Sequence, residues 1–98
     1  MDIIKNRDGK KLDVKLTGKL DTKTSPELTD ALKDELDDVE ELNFDFSELI
    51  YISSSGLRVI LSTYKIMNKR GSMKISHVQD IVMEVFNATG LNKILTIE

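Results

Sequence analysis

Leu42-Asn43-Phe44-Asp45-Phe46-Ser47-Glu48-Leu49-Ile50-Tyr51-Ile52-Ser53-Ser54-Ser55-Gly56-Leu57-Arg58-Val59-Ile60-Leu61 carries the chain from a strand into a helix. Leu42, Phe44 and Phe46 alternate with Asn43 and Asp45, the two-residue period of a short central strand over Leu42–Phe46. Ser47 to Ser53 reads as a loop. Its Leu49, Ile50, Tyr51 and Ile52 either tuck under the next helix or form an exposed binding patch. Near Ser54 the period becomes helical, with Leu57, Ile60, Leu61, Tyr64 and Met67 as the buried stripe and Val59 and Ile66 widening it. Lys69 and Arg70 complement the helix's negative end, and Gly71 suits a left-handed residue just beyond. Taken alone, serines before a helix and Gly56 in its first turn are ordinary capping chemistry.

Upstream, Ile3–Arg7 and Lys11–Leu16 flank Asp8-Gly9, a hairpin-turn dipeptide, and Gly18 is expected to end the second strand. Thr24-Ser25-Pro26-Glu27 opens a helix: Thr24 or Ser25 can cap it, Glu27 can close a capping box, and Leu28, Ala31, Leu32 and Leu36 follow at helical spacing. The carboxylates Asp34-Glu35-Leu36-Asp37-Asp38 oppose the helix dipole, so the helix is expected to end around Leu36 or Asp37. Downstream, Met73–Ser76 reads as a strand. Ile81, Val82, Val85 and Phe86 form a third helical stripe that stops at Gly90, and Ile94–Ile97 is a last strand. The alternation predicts an α/β fold: a mixed sheet with an opening antiparallel hairpin, then parallel strands, packed with three helices.

The 98 residues are expected to make one domain, residues 1–98, with 40% hydrophobic residues to supply its core. There are no cysteines, which removes disulfides and thiolate metal sites and suits a reducing cytoplasm. No apolar run approaches the roughly 18 residues of a membrane span, and Met1-Asp2-Ile3-Ile4-Lys5 lacks the pattern of a signal peptide. A net charge of −3 argues against nucleic acid. Lys5, Arg7, Lys10, Lys11, Lys15 and Lys19 have no interleaved aromatics and read as a solvated strand face. The acidic run from Asp34 to Glu41 likewise reads as a solvated helix end. The four methionines read as core filler. His77, the only histidine, lacks the partners of a zinc site and reads as a loop residue. A serine-nucleophile enzyme would need it as base, yet no nucleophile elbow, P-loop or dinucleotide fingerprint is present.

Three marks together resemble the STAS domain as found in stand-alone bacterial anti-sigma factor antagonists. Asp45-Phe46-Ser47 leading to Ser53-Ser54-Ser55-Gly56-Leu57 is similar to that family's strand and Asp-Ser-Ser/Thr-Gly signature. Gly18-Lys19-Leu20-Asp21 resembles its Gly-x-Leu-Asp loop, and Phe86-Asn87-Ala88-Thr89-Gly90-Leu91 its C-terminal Phe-x-x-x-Gly-Leu. The resemblance implies a non-enzymatic switch whose Ser54 is phosphorylated by a GHKL-type anti-sigma factor kinase and restored by a phosphoserine phosphatase. Dephosphorylated, it would bind the anti-sigma factor and free the sigma factor.

Ser53 stands where the family has aspartate, so Ser53 and Ser55 are the alternative acceptors, and a STAS adaptor or small-ligand sensor without phospho-control is the alternative function. Asp21, Ser53, Ser55, Gly56 and Arg58 are the expected partner-binding residues. Arg58 replaces a frequent glycine and lies one helical turn after Ser54, either as a solvated side chain or as a cation for a phosphate there. The implied chain is a cytoplasmic monomer with no catalytic residue, no metal and no cofactor, and with neither nucleic acid nor membrane as partner.

Overall fold

The computed structural model describes residues 1–98. Its elements are β1 (Asp2–Asp8), β2 (Lys11–Leu20), α1 (Ser25–Leu32), β3 (Glu41–Ile52), α2 (Ser54–Asn68), β4 (Ser72–Ser76), α3 (Asp80–Thr89), a 3₁₀ turn (Leu91–Lys93) and β5 (Thr96–Ile97). The five strands lie in sequence order, β1 antiparallel to β2 and every later pair parallel. Three crossovers stepping in one direction put α1, α2 and α3 on one face. Cross-strand neighbours Val14, Phe44 and Ile75 are fully buried on that face. Phe46 packs between Phe44, tilted at 50° with centroids 5.8 Å apart, and Phe86, stacked at 6.3 Å. The mixed sheet and three helices are those the residue periods predict.

Boundaries differ where tertiary contacts override local signals. The opening turn falls at Gly9-Lys10, since Asp8 still pairs with Lys11. β2 does not stop at Gly18; it bulges there, with φ of +98°, and runs on to Leu20. The expected loop Ser47–Ser53 is strand as far as Ile52, because β2 continues beside it and Leu49 and Ile52 reach the core. Ile50 and Tyr51 are exposed, so the segment both tucks inward and presents a surface. β4 pairs only with Glu41–Asp45, and β2 and β3 therefore project together past the rest of the sheet.

α1 ends at Leu32, a turn earlier than expected. Carbonyls of its last turn and of the segment after it receive donors from outside the helix. Lys5 Nζ donates to Ala31 O at 3.2 Å, Arg7 Nη1 to Glu35 O at 3.2 Å, and Arg70 Nη1 to Leu36 O. The same cations pair with Glu35, Asp38 and Asp37, and the Arg7 guanidinium holds Asp38 below the usual carboxylate range. Lys5, Arg7 and the acidic run are thus partners, not two independently solvated faces.

On α2, Thr63 is buried and Ile66 exposed, the reverse of the expected stripe. Thr63 tolerates burial because its hydroxyl donates to Val59 O at 2.7 Å. Gly71 is not left-handed. It is required for close approach, since a Cβ there would lie 1.9 Å from Glu40 O. The left-handed cap is Gly90, after α3, with φ of +77°. Met67 and Met73 are core residues, while Met1 and Met83 are only partly buried against it.

Candidate functional site at the start of α2

The projecting ends of β2 and β3 set the geometry. Ser53 N donates to Leu20 O at 2.9 Å, which fixes the α2 entry against the end of β2. Ser53 is the N-cap: its backbone is extended and its Oγ accepts from Gly56 N at 3.3 Å. Ser54 is the first helical residue and not the cap; it is exposed, and its hydroxyl makes no hydrogen bond. The cap and the candidate acceptor are therefore different serines. Gly56 is buried, and a Cβ there would come within 2.8 Å of Leu20 O and Leu20 Cγ and 3.0 Å of Ile52. Only a residue without a side chain lets the first turn of α2 lie this close to both strand ends.

The β2–α1 loop forms the second wall. Asp21 Oδ1 accepts from Thr24 N at 3.1 Å and Lys23 N at 3.0 Å. The Thr24 N–H is the main reason the Asp21 carboxyl sits below the usual carboxylate range; desolvation opposes it, and Lys23 N–H adds to it. Asp21 thus shapes the loop from within. Thr24 does not cap α1 through its side chain, nor close a capping box. Its Oγ1 accepts from Asp21 N and donates to Lys19 O, both at 2.8 Å. Buried Ser25 donates to Asp21 O at 2.6 Å. Thr22 Oγ1 lies 3.3 Å from Ser55 Oγ, joining this loop to α2.

Ser53, Ser54, Ser55, Gly56, Asp21 and Arg58 therefore share one end of the sheet. Arg58 is exposed and makes neither a hydrogen bond nor an ion pair. Beside it a cavity of about 440 Å³ opens toward Thr22, Ser25, Thr29 and Ser55. Thr22 was not singled out from the sequence, its only signal being adjacency to Asp21, and Leu20 appeared there only within the Gly-x-Leu-Asp match, with no role for its carbonyl. His77 lies elsewhere, after β4, left-handed at φ +58° and with no hydrogen bond to any of the three serines. Its nearest electrostatic effect is on Asp45. Burial works to raise that carboxyl, but the Ser47 N–H at 2.9 Å, with His77 and Lys15, holds it below the usual range. No group of three or more histidine, cysteine or acidic side chains is placed to hold a metal ion. No helix is long and apolar enough to cross a membrane.

The family model described as STAS domain matches residues 3–98. The chain belongs to the STAS-domain family. This STAS chain is 32% identical over 99 residues to the anti-sigma-B factor antagonist of Listeria monocytogenes, covering 97% of this chain and 85% of that protein. An anti-sigma factor antagonist from Mycobacterium paratuberculosis has a similar structure, with a TM-score of 0.88 at 22% identity, covering 98% of this chain and 83% of that one. The Bacillus cell-fate determinant SpoIIAA in its phosphorylated form gives a TM-score of 0.69 at 16% identity, covering 99% and 91%. At those identities the structural likeness concerns the STAS fold.

Proposed function

We propose that this STAS protein is an anti-sigma factor antagonist controlled by phosphorylation at Ser54. The observation that carries the reading is the division of labour in Ser53-Ser54-Ser55. Ser53 is engaged as cap, Ser55 faces Thr22, and Ser54 alone stands exposed with an unengaged hydroxyl. The relative's name, anti-sigma-B factor antagonist, supplies the biological setting.

In this reading the dephosphorylated surface around Ser54, with Asp21, Ser53, Ser55, Gly56 and Arg58, binds a GHKL-type anti-sigma factor kinase, and a sigma factor is released. The kinase transfers the γ-phosphoryl group of ATP to Ser54 Oγ, giving phosphoserine, ADP and a proton. A separate phosphatase hydrolyses the ester. The chain is a substrate in both steps and acts in the cytoplasm.

The physics favours a switch that spares the fold. A phosphate on Ser54 sits at the positive end of α2, where first-turn N–H groups and the helix dipole favour an anion. It adds about −1.5 to −2 charges to a surface that a partner must desolvate. The partner is repelled while the core is untouched. Tandem mass spectrometry after incubation with the anti-sigma kinase and ATP should find phosphate on Ser54. Phosphate only on Ser53 or Ser55, or on none of the three, refutes the assignment.

A further inference from the structure

We propose that the groove between α1 and α2 is a binding site for a small amphiphilic anion, its charged head on Arg58 and Lys33 and its apolar tail along Val59 and Ile66. The groove exists because α1 stops at Leu32 and the chain turns away toward Val39, while α2 runs on to Asn68. The space left between them has a volume of about 410 Å³, within the roughly 300–1,000 Å³ of small-molecule sites.

Its floor is apolar. Leu32 and Leu36 are buried beneath it, and Val59 is half-buried. Ile66, one of the apolar residues in the periodic stripe of α2, is 43% exposed on its wall. A hydrocarbon tail would cover that surface at a gain for each buried methylene.

Its rim is cationic. Lys33, Arg58 and Arg70 line it against one carboxylate, Asp37. Asp37 lies 3.8 Å from Arg70, whose guanidinium also holds Leu36 O. Lys33 and Arg58 form no ion pair and no hydrogen bond. Two uncommitted cations beside an apolar cleft are complementary to an anionic head with an apolar tail. A docked partner helix fits less well, because α1 is 8 residues long and walls only about 12 Å of trough.

The groove also meets the cavity near Ser55, with which it shares Thr29, Arg58 and Val59. An occupied groove would draw on the same Arg58 that lines the cavity near Ser55. The site nonetheless stands whether or not Ser54 is phosphorylated, and its test requires no kinase.

Decyl phosphate, kept below its micelle concentration, is titrated into ¹⁵N-labelled protein. Saturable shifts are expected at Thr29, Lys33, Val59, Ser62 and Ile66. Ile66→Glu and Lys33→Glu, both at exposed positions, should each weaken binding about tenfold or more. Ser62→Trp, which fills the groove, should do the same without altering charge. Absence of saturation, or equal shifts around the exposed Ile4, Ile81 and Ile94, overturns the proposal. So does equal affinity for decanol, since the head would then not be read. Sedimentation with phosphatidylglycerol vesicles separates the sources. Co-pelleting that Ile66→Glu abolishes assigns a lipid headgroup, and decyl phosphate binding without co-pelleting assigns a free metabolite.

Discussion

Thr22 Oγ1 and Ser55 Oγ stand 3.3 Å apart, one on the β2–α1 loop and the other in the first turn of α2. This hydroxyl pair is the side-chain bridge between the two walls of the candidate site. In a double-mutant cycle, Thr22→Val and Ser55→Ala should couple by about 0.5–1 kcal/mol in urea denaturation. Strict additivity would mean that the hydroxyl pair does not hold the walls, leaving the Ser53–Leu20 backbone bond and the packing of Gly56 against Leu20.

The cap and the acceptor should separate in stability measurements. Ser53→Ala removes the acceptor for Gly56 N and should cost about 1 kcal/mol. Ser54→Ala removes no hydrogen bond and should stay within about 0.5 kcal/mol of wild type. Ser54→Asp should leave thermal stability equal or slightly higher, because a carboxylate in the first turn suits the dipole, yet it should weaken binding to the anti-sigma factor. Thermal melts of the three variants decide this, and equal losses in Ser53→Ala and Ser54→Ala would contradict the geometry.

Two glycines should be intolerant of even one methyl group. Gly56→Ala sets a Cβ against the Leu20 backbone and Ile52, and Gly71→Ala sets one against Glu40 O. Overpacking of this kind costs about 1–3 kcal/mol, and Gly71→Ala should be the worse because its backbone obstacle lies at 1.9 Å, against 2.8 Å for Gly56. Gly9, whose added Cβ meets nothing within 4 Å but whose φ is +61°, separates the cost of a left-handed backbone from the cost of crowding.

Acid should loosen the β2–α1 loop first. Asp21 is held below its usual value by the Thr24 N–H, so its contribution is present above the unfolded carboxylate value of about 3.9. It is lost as pH falls through the lower folded value. Protection of the Lys23 and Thr24 amides, measured against their intrinsic exchange rates, should fall over that acidic window in wild type, whereas Asp21→Asn should already be less protected at neutral pH. A loop indifferent to both changes would remove Asp21 from its shaping role.

Arg58 can be tested as a phosphate partner. If it folds back onto phosphoserine 54, its charge lowers the second phosphate pKa, and Arg58→Ala should raise it. Phosphorus NMR titration reads this directly. An unchanged value would leave Arg58 to the partner or to the groove.

The central elements were legible in the residues because they announce their period: Leu42, Phe44 and Phe46 alternate, and Leu57, Ile60 and Met67 recur at helical spacing, whereas the last strand, expected from Ile94, is only Thr96–Ile97. Strand ends were not legible, because Leu49 and Ile52 are strand only through β2 running beside them. Which serine caps α2 was equally hidden. Three identical side chains in a row offer no local signal, and the choice falls to the Ser53 backbone, tied to Leu20 O. Gly71 shows a third limit, since a glycine after a helix looks the same whether it serves conformation or clearance.

The acidic turn after α1 has a bearing on the order in which the molecule assembles. The last turn of α1 and the turn itself offer carbonyls to donors 26, 28 and 34 residues distant, on β1 and just past α2. Inside the turn only Glu35 N to Leu32 O at 3.1 Å and Val39 N to Leu36 O at 3.3 Å close it locally, so full closure is expected to wait until those distant segments have docked and their chain entropy has been lost. Residues 33–38 should accordingly be among the last to become native, and substitutions there should quicken unfolding while leaving the refolding rate almost unaltered.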